Sequence, residues 1–242
     1  GMGLVGVYRL GEELAGKLRQ GPALLASALV PAAADLDARD HRAQLAGMYL
    51  RATKYLAAAA VPLAVFTLGA AELLLHAWLG AQEGVATAAH VLRLLAVGYC
   101  VNLIAGGGMS VALGRGRAEL AMGAGLVSLA TNVGATVVLV LGIGFWGVPL
   151  GTTLGMVASA AWFFRAMHRV APVPARALWL HGCVWPLCAA LPGLAWCALA
   201  WWWADGATAR GPNLLALGAA AACYVPTYAL ALRALPFLDA FD

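Results

Sequence analysis

The chain has 242 residues, 63% of them hydrophobic and only 11% charged, with a mean hydropathy of +0.83. Soluble domains carry about 25% charged residues, so this balance excludes an ordinary soluble fold and points to an integral membrane protein. The formal net charge of +4 is modest and gives no case for a nucleic-acid partner; where the basic residues lie says more than their sum.

The first element is predicted as a helix over 3–30, and it holds an unusual stretch from Arg9 to Gln20. At roughly 100° per residue, Arg9, Glu12, Glu13, Lys17, Arg19 and Gln20 fall on one half of that helix. Leu4, Val7, Leu10, Leu14 and Leu18 fall on the other. A charge at bilayer depth costs roughly 2.5–3.5 kcal/mol on insertion scales, so the charged half should face a bundle interior or a wet cavity rather than lipid. The Arg9–Glu13 and Glu13–Lys17 spacings allow i,i+4 pairs that lower this cost. The competing reading is an amphipathic helix lying on the membrane surface.

Further apolar runs long enough to cross about 30 Å of hydrocarbon follow at 55–79, 85–113, 118–141, 147–168, 178–203 and 213–235. The expected fold class is therefore all-α, a polytopic transmembrane bundle of about seven spans. Turn-like breaks separate the runs at 31–42, 80–84, 114–117, 142–146, 169–176 and 204–212. Taken alternately, one set of breaks and flanks holds Arg39, Arg42, Arg51, Lys54, Arg115, Arg117, Arg165, Arg169, Arg176 and Arg233, whereas the other holds only Arg210. Basic residues collect on the cytoplasmic side, so the N-terminus is expected outside and the C-terminus inside. Trp78, Trp146 and Trp201 to Trp203 then share the outer interface, where amphipathic rings prefer to sit.

Gly147, Gly151, Gly155 and Ser159 form a small-residue ladder that lets another helix approach closely. Pro22, Pro62, Pro186, Pro192 and Pro226 lie inside spans and should kink them, and Gly106 to Gly108 mark a flexible or tightly packed point. Glu72 and Arg93 sit at matching depths on neighbouring antiparallel spans, so either they pair or Arg93 joins the cavity of Arg9 and Lys17. Asn102 and Asn132 are mid-span polar residues that glue helices or line the cavity.

Chemistry-bearing motifs are scarce. Gly142 to Gly147 spells the dinucleotide fingerprint but follows no strand and encloses two bulky aromatics, so no nucleotide cofactor is expected. Asp35, Asp37, Asp40 and His41 read as a solvated loop, with Asp37 as a cap for the next helix, rather than a metal site. The remaining histidines show no ligand spacing, and Cys100, Cys183, Cys188, Cys197 and Cys223 read as small apolar-site residues, not disulfides. No nucleophile–base arrangement can be read, so no enzyme is expected. The start is polar-interrupted and lacks a cleavable signal pattern.

Several segments share an order. Val5-Gly-Val-Tyr-Arg-Leu-Gly, then Ala28-Leu-Val-Pro31, resembles the eighth helix of polysaccharide flippases in the MATE-like multidrug/oligosaccharidyl-lipid/polysaccharide exporter superfamily. Trp78-Leu-Gly80, Leu92-Arg-Leu-Leu, Leu113-Gly-Arg-Gly-Arg117, Thr131-Asn132 and Gly144-Phe-Trp-Gly-Val-Pro-Leu-Gly-Thr152 follow in the same order. The resemblance covers about residues 3–168; the last two helices match by position and hydropathy. It implies a fourteen-helix transporter of which this chain supplies the second lobe (1–168, five spans) and two terminal helices (169–242). The N-terminal lobe would be a missing partner, and without it alternating access is not expected. The implied activity is translocation of a lipid-linked, undecaprenyl-diphosphate oligosaccharide across a bacterial inner membrane for polysaccharide biosynthesis. Arg9, Lys17 and Arg93 would contact the anionic head group, and Glu12 or Glu13 would balance charge or couple to cations, with no cofactor or metal. Two other readings stand beside this one: a cation-coupled multidrug exporter, favoured by Glu12 and Glu13, and a non-transporting scaffold of a glycan-assembly complex. A membrane glycosyltransferase is disfavoured because no large extramembrane loop carries carboxylates.

Overall fold

The computed structural model describes residues 3–39, 41–170, 173–204 and 209–237. Asp40 and the side chains of Leu18 and Arg42, used above, lie outside the described residues. Every regular element among the described residues is helical: α1 (Leu4–Ser27), α2 (Leu29–Ala38), α3 (Arg42–Leu79), α4 (Val85–Gly114), α5 (Ala118–Ile143) and α6 (Gly147–Val170). A segmented rod follows, made of α7 (Ala175–Trp179), a π turn (Leu180–Val184), α8 (Trp185–Ala190), a 3-10 turn (Leu191–Gly193) and α9 (Leu194–Trp203); α10 (Arg210–Ala234) closes the order. Five stretches are long and apolar enough to cross a membrane: Ala43–Leu79, Val85–Gly114, Ala118–Val170, Ala175–Trp203 and Arg210–Ala234. The third contains both α5 and α6, and the charges of α1 keep it out of this group. The chain is an all-helical bundle of membrane-spanning character.

The hairpin of α3 and α4 is the spine. It turns at Gly80 and Gly84, whose φ values of +75° and +87° are costly for any residue with a Cβ. Val7 meets Gly84, Gly11 meets Val91, and Val30 meets Gly114, so α1 and the start of α2 run parallel to α4. At the other side of the spine the last two rods pack on α3, Gly69 against Cys197 and Phe66 against Tyr224. These contacts sort the molecule into two ends. The Arg210 guanidinium donates to the Leu79 carbonyl at 3.2 Å, and the Trp146 ring lies 6.1 Å from that of His90, so Trp78, Trp146 and Trp201 to Trp203 lie toward one end, whereas Trp179 and Trp185 flank the π turn. Arg115 pairs with Asp37 at 3.0 Å and Gly182 meets Thr53 at 3.3 Å at the opposite, basic end.

The glycine ladder finds its partner in α5. An added Cβ at Gly147 would strike the Val140 backbone, one at Gly151 the hydroxyl and backbone of Thr136, and one at Gly155 the Ser128 carbonyl at 2.8 Å. The paired numbers fall as the ladder rises, which makes α5 and α6 an antiparallel hairpin with touching backbones. Lipid offers no hydrophobic drive between helices, so such close approach is how they adhere. Gly107 and Gly108 are likewise a packed point: their added carbons would meet Leu56 and Ala52, and Tyr49 and Phe163.

The prolines act through the carbonyls they leave without a donor. Pro62 cannot donate to Ala58, and the Tyr228 hydroxyl from α10 donates to that carbonyl instead, at 2.8 Å. The Tyr224 hydroxyl donates to the Pro62 carbonyl at 3.0 Å. Pro186 and Pro192 coincide with the change from the π turn to α8 and with the 3-10 turn, so the ladder shifts register at each.

Four expectations need correction. The helix expected over 3–30 is broken at Ala28, and the loop expected at 31–42 holds α2. Asp37 caps nothing: it pairs with Arg115, while Asp35 pairs with Arg39 at 2.9 Å. α3 begins at Arg42 rather than 55, because charge ends a hydrophobic run without ending a helix. Apart from these, Lys54 of α3 is only 1% exposed. All five cysteines are free; Cys197 is buried, whereas Cys188 stands exposed on the bundle surface.

Candidate functional site

α1 is held by a narrow seam of small residues. Val7 and Ala15 are 4% and 3% exposed, and an added Cβ at Gly11 would meet Val91 at 2.9 Å and the Ala88 carbonyl at 3.0 Å. Leu10 and Leu14 flank the seam, half-buried with Tyr8 and Tyr99, whereas Leu4 points outward. The apolar half of α1 is therefore used, but by its small members more than by its leucines.

The opposite half carries Arg9, Glu12, Glu13, Lys17, Arg19 and Gln20, all exposed. Of the two expected pairs, Glu13–Lys17 forms at 2.9 Å, and no Arg9–Glu13 pair is seen among the described residues. The described chain alone does not close a cavity over Arg9 and Lys17. What forms instead is a shallow groove between α1, α3 and α4, with room for only about 20 Å³, lined by Ala15, Arg19, Ala64, Thr67, Tyr99 and Leu103 among others. Arg19 lies 5.1 Å over the Tyr99 ring at this groove, and Lys17 lies 5.1 Å over the Trp78 ring. An ammonium or guanidinium over an aromatic face keeps its charge while resting on apolar surface, which suits a cation at membrane depth. Lys17 stands roughly 20 Å along α1 from Leu4.

Arg93 lies elsewhere. Its guanidinium donates to Glu72 at 3.0 Å and to the Leu68 carbonyl at 3.1 Å, both on α3. The α4 residues that pack on α1, Ala88, Val91, Leu92 and Leu95, occupy another side of that helix. Arg93 and Glu72 are thus a mostly buried ion pair across the spine, apart from the cations of α1. Asn132 accepts from Thr136 at 3.0 Å along the α5 face that meets Gly155, which places it in a helix seam. Asn102 is half-buried on α4.

Arg19 is legible on the polar half of α1, but nothing in the sequence distinguishes it from its neighbours. Tyr99 and Thr67 carry no signal in the sequence: they come from other helices, and only the parallel seating of α1 on α4 brings Tyr99 beneath Arg19. A scan against models of known families, a search of curated proteins and a search of solved structures each return no match.

Proposed function

We propose that this chain is the cation-bearing lobe of a transporter that moves a lipid-linked oligosaccharide diphosphate across a bacterial inner membrane, within the MATE-like exporter superfamily. On this reading the bundle crosses the membrane seven times. Its basic end faces the cytoplasm, its tryptophan end faces outward, and a companion lobe closes over the charged half of α1. The observation that carries the proposal is the row Arg9, Lys17 and Arg19 standing exposed on α1, two of its members resting on aromatic rings, beside an apolar groove. A diphosphate needs clustered cations, and guanidinium and ammonium groups supply them. The groove between α1, α3 and α4 is too small for a prenyl tail, which on this reading stays in the lipid. Three basic against two acidic residues on this face favour an anionic over a cationic substrate.

The test is equilibrium binding of undecaprenyl diphosphate and, separately, of a cationic dye to the protein in nanodiscs. The proposal expects saturable lipid binding that weakens about tenfold with Arg19→Ala or Lys17→Ala, the loss of one charge-assisted contact. Dye binding that depends on Glu12 or Glu13, with the lipid ignored, would replace it with a multidrug exporter. Binding of neither would leave the scaffold reading in its place.

A further inference from the structure

The chain does not stop at its last helix. After Ala234 the backbone turns extended at Leu235, the Phe237 amide donates to the Leu235 carbonyl, and Phe237 ends 1% exposed. An aromatic residue beyond the final helix is ordinarily a frayed one. This one is seated where three elements meet. Its ring centre lies 4.9 Å from the Lys54 ammonium of α3 and 6.3 Å from the His181 ring of the π turn, while its own backbone continues α10.

Each of the residues it touches is unusual for its place. Lys54 is 1% exposed, and its ammonium also lies 5.5 Å from the Tyr55 ring. His181 lies in the π turn, and the adjacent Gly182 packs on the Thr53 methyl at 3.3 Å. A π turn is a widened, weaker stretch of ladder that recurs where helices carry function. An ionisable residue buried in a membrane bundle is likewise retained for a purpose more often than for stability.

We propose that residues 235–237, which follow α10, are a latch. Phe237 clasps the Lys54 ammonium, lies against the His181 ring, holds the end of α10 to α3 and to the π turn, and seals Lys54 from solvent at the basic end of the bundle. Undocking of Phe237 uncovers Lys54 and frees the last two rods from the spine at that end. The inference does not depend on the substrate proposed above.

The sequence itself supplies the assay, because its only lysines are Lys17 and Lys54. Lys17 has a side chain 55% exposed and serves as the internal reference. Acetylation of the protein in nanodiscs by a water-soluble reagent, followed by mass spectrometry of the two lysine peptides, reads their relative rates. The latch requires slow labelling of Lys54 relative to Lys17 in the wild type and a selective, several-fold rise at Lys54 with Phe237→Ala. Phe237→Trp, which keeps an aromatic face, retains the protection. Unchanged protection of Lys54 with Phe237→Ala overturns the latch. A rise at both lysines passes the decision to Phe237→Leu, which keeps apolar bulk without a ring. Selective exposure of Lys54 in that variant supports the latch, and any other pattern there overturns it.

Discussion

Gly151→Val separates α5 from α6. The added side chain would fall on the Thr136 hydroxyl and within 2.8–2.9 Å of the Thr136 backbone nitrogen and Cα, and these two backbone atoms cannot rotate away as a flexible side chain could. The whole of α6 must therefore move, taking with it the contacts of Gly147 and Gly155 and the bond from the Thr153 hydroxyl to the Leu94 carbonyl of α4. Overpacking a tight seam costs about 1–3 kcal/mol, and more where backbone is struck; about 3 kcal/mol is expected here. For a chain of this size that corresponds to a fall of roughly 6–12 °C in Tm, read by thermal unfolding in detergent. Gly134→Ala, on the same hairpin but with open space around the added carbon, should stay within about 0.5 kcal/mol of the parent. Equal tolerance of both would show that the ladder is not the seam.

Glu72→Leu leaves the Arg93 guanidinium with the Leu68 carbonyl alone. The pair is about three-quarters buried, with side-chain exposures of 28% and 25%, so the stranded charge costs about 2–3 kcal/mol, somewhat less than at a fully buried site. The double variant Glu72→Leu with Arg93→Met should recover most of that loss, because an apolar pair of similar volume avoids the desolvation that the ion pair suffers. The same double variant should bind undecaprenyl diphosphate as the parent does. Loss of binding in it, with stability recovered, would return Arg93 to the substrate surface beside Lys17.

The sequence made the polar half of α1 legible because charges at helical spacing leave few alternatives in lipid. It hid the seam, because a hydropathy reading weights Leu4 and Leu10, whereas helices in lipid adhere through residues such as Gly11 and Ala15 that let backbones meet. The glycine ladder was legible for the converse reason: its spacing of four is a packing signal, and the short turn at Gly144 to Trp146 leaves α5 as its neighbour. α2 was not legible, since a mixed stretch of Asp, Ala and Arg breaks a membrane span without breaking a helix. The Arg19–Tyr99 and Lys54–Phe237 contacts were beyond reach for a single reason. Each joins residues distant in sequence, and only the relative seating of the rods decides which aromatic face a cation finds.

The account turns on whether the charged half of α1 meets water or lipid. The direct measurement is a spin label at position 13, introduced as Glu13→Cys in a variant whose five native cysteines are alanine, with the protein in bilayers. Collision with a water-soluble nickel chelate and with membrane-dissolved oxygen is compared, using a label at the exposed Leu129 of α5 as the lipid-facing reference. The account predicts that position 13 is reached by the chelate and shielded from the bilayer, unlike position 129. The same lipid-dominated collision profile at both positions would contradict it, because a surface that faces acyl chains cannot hold a diphosphate.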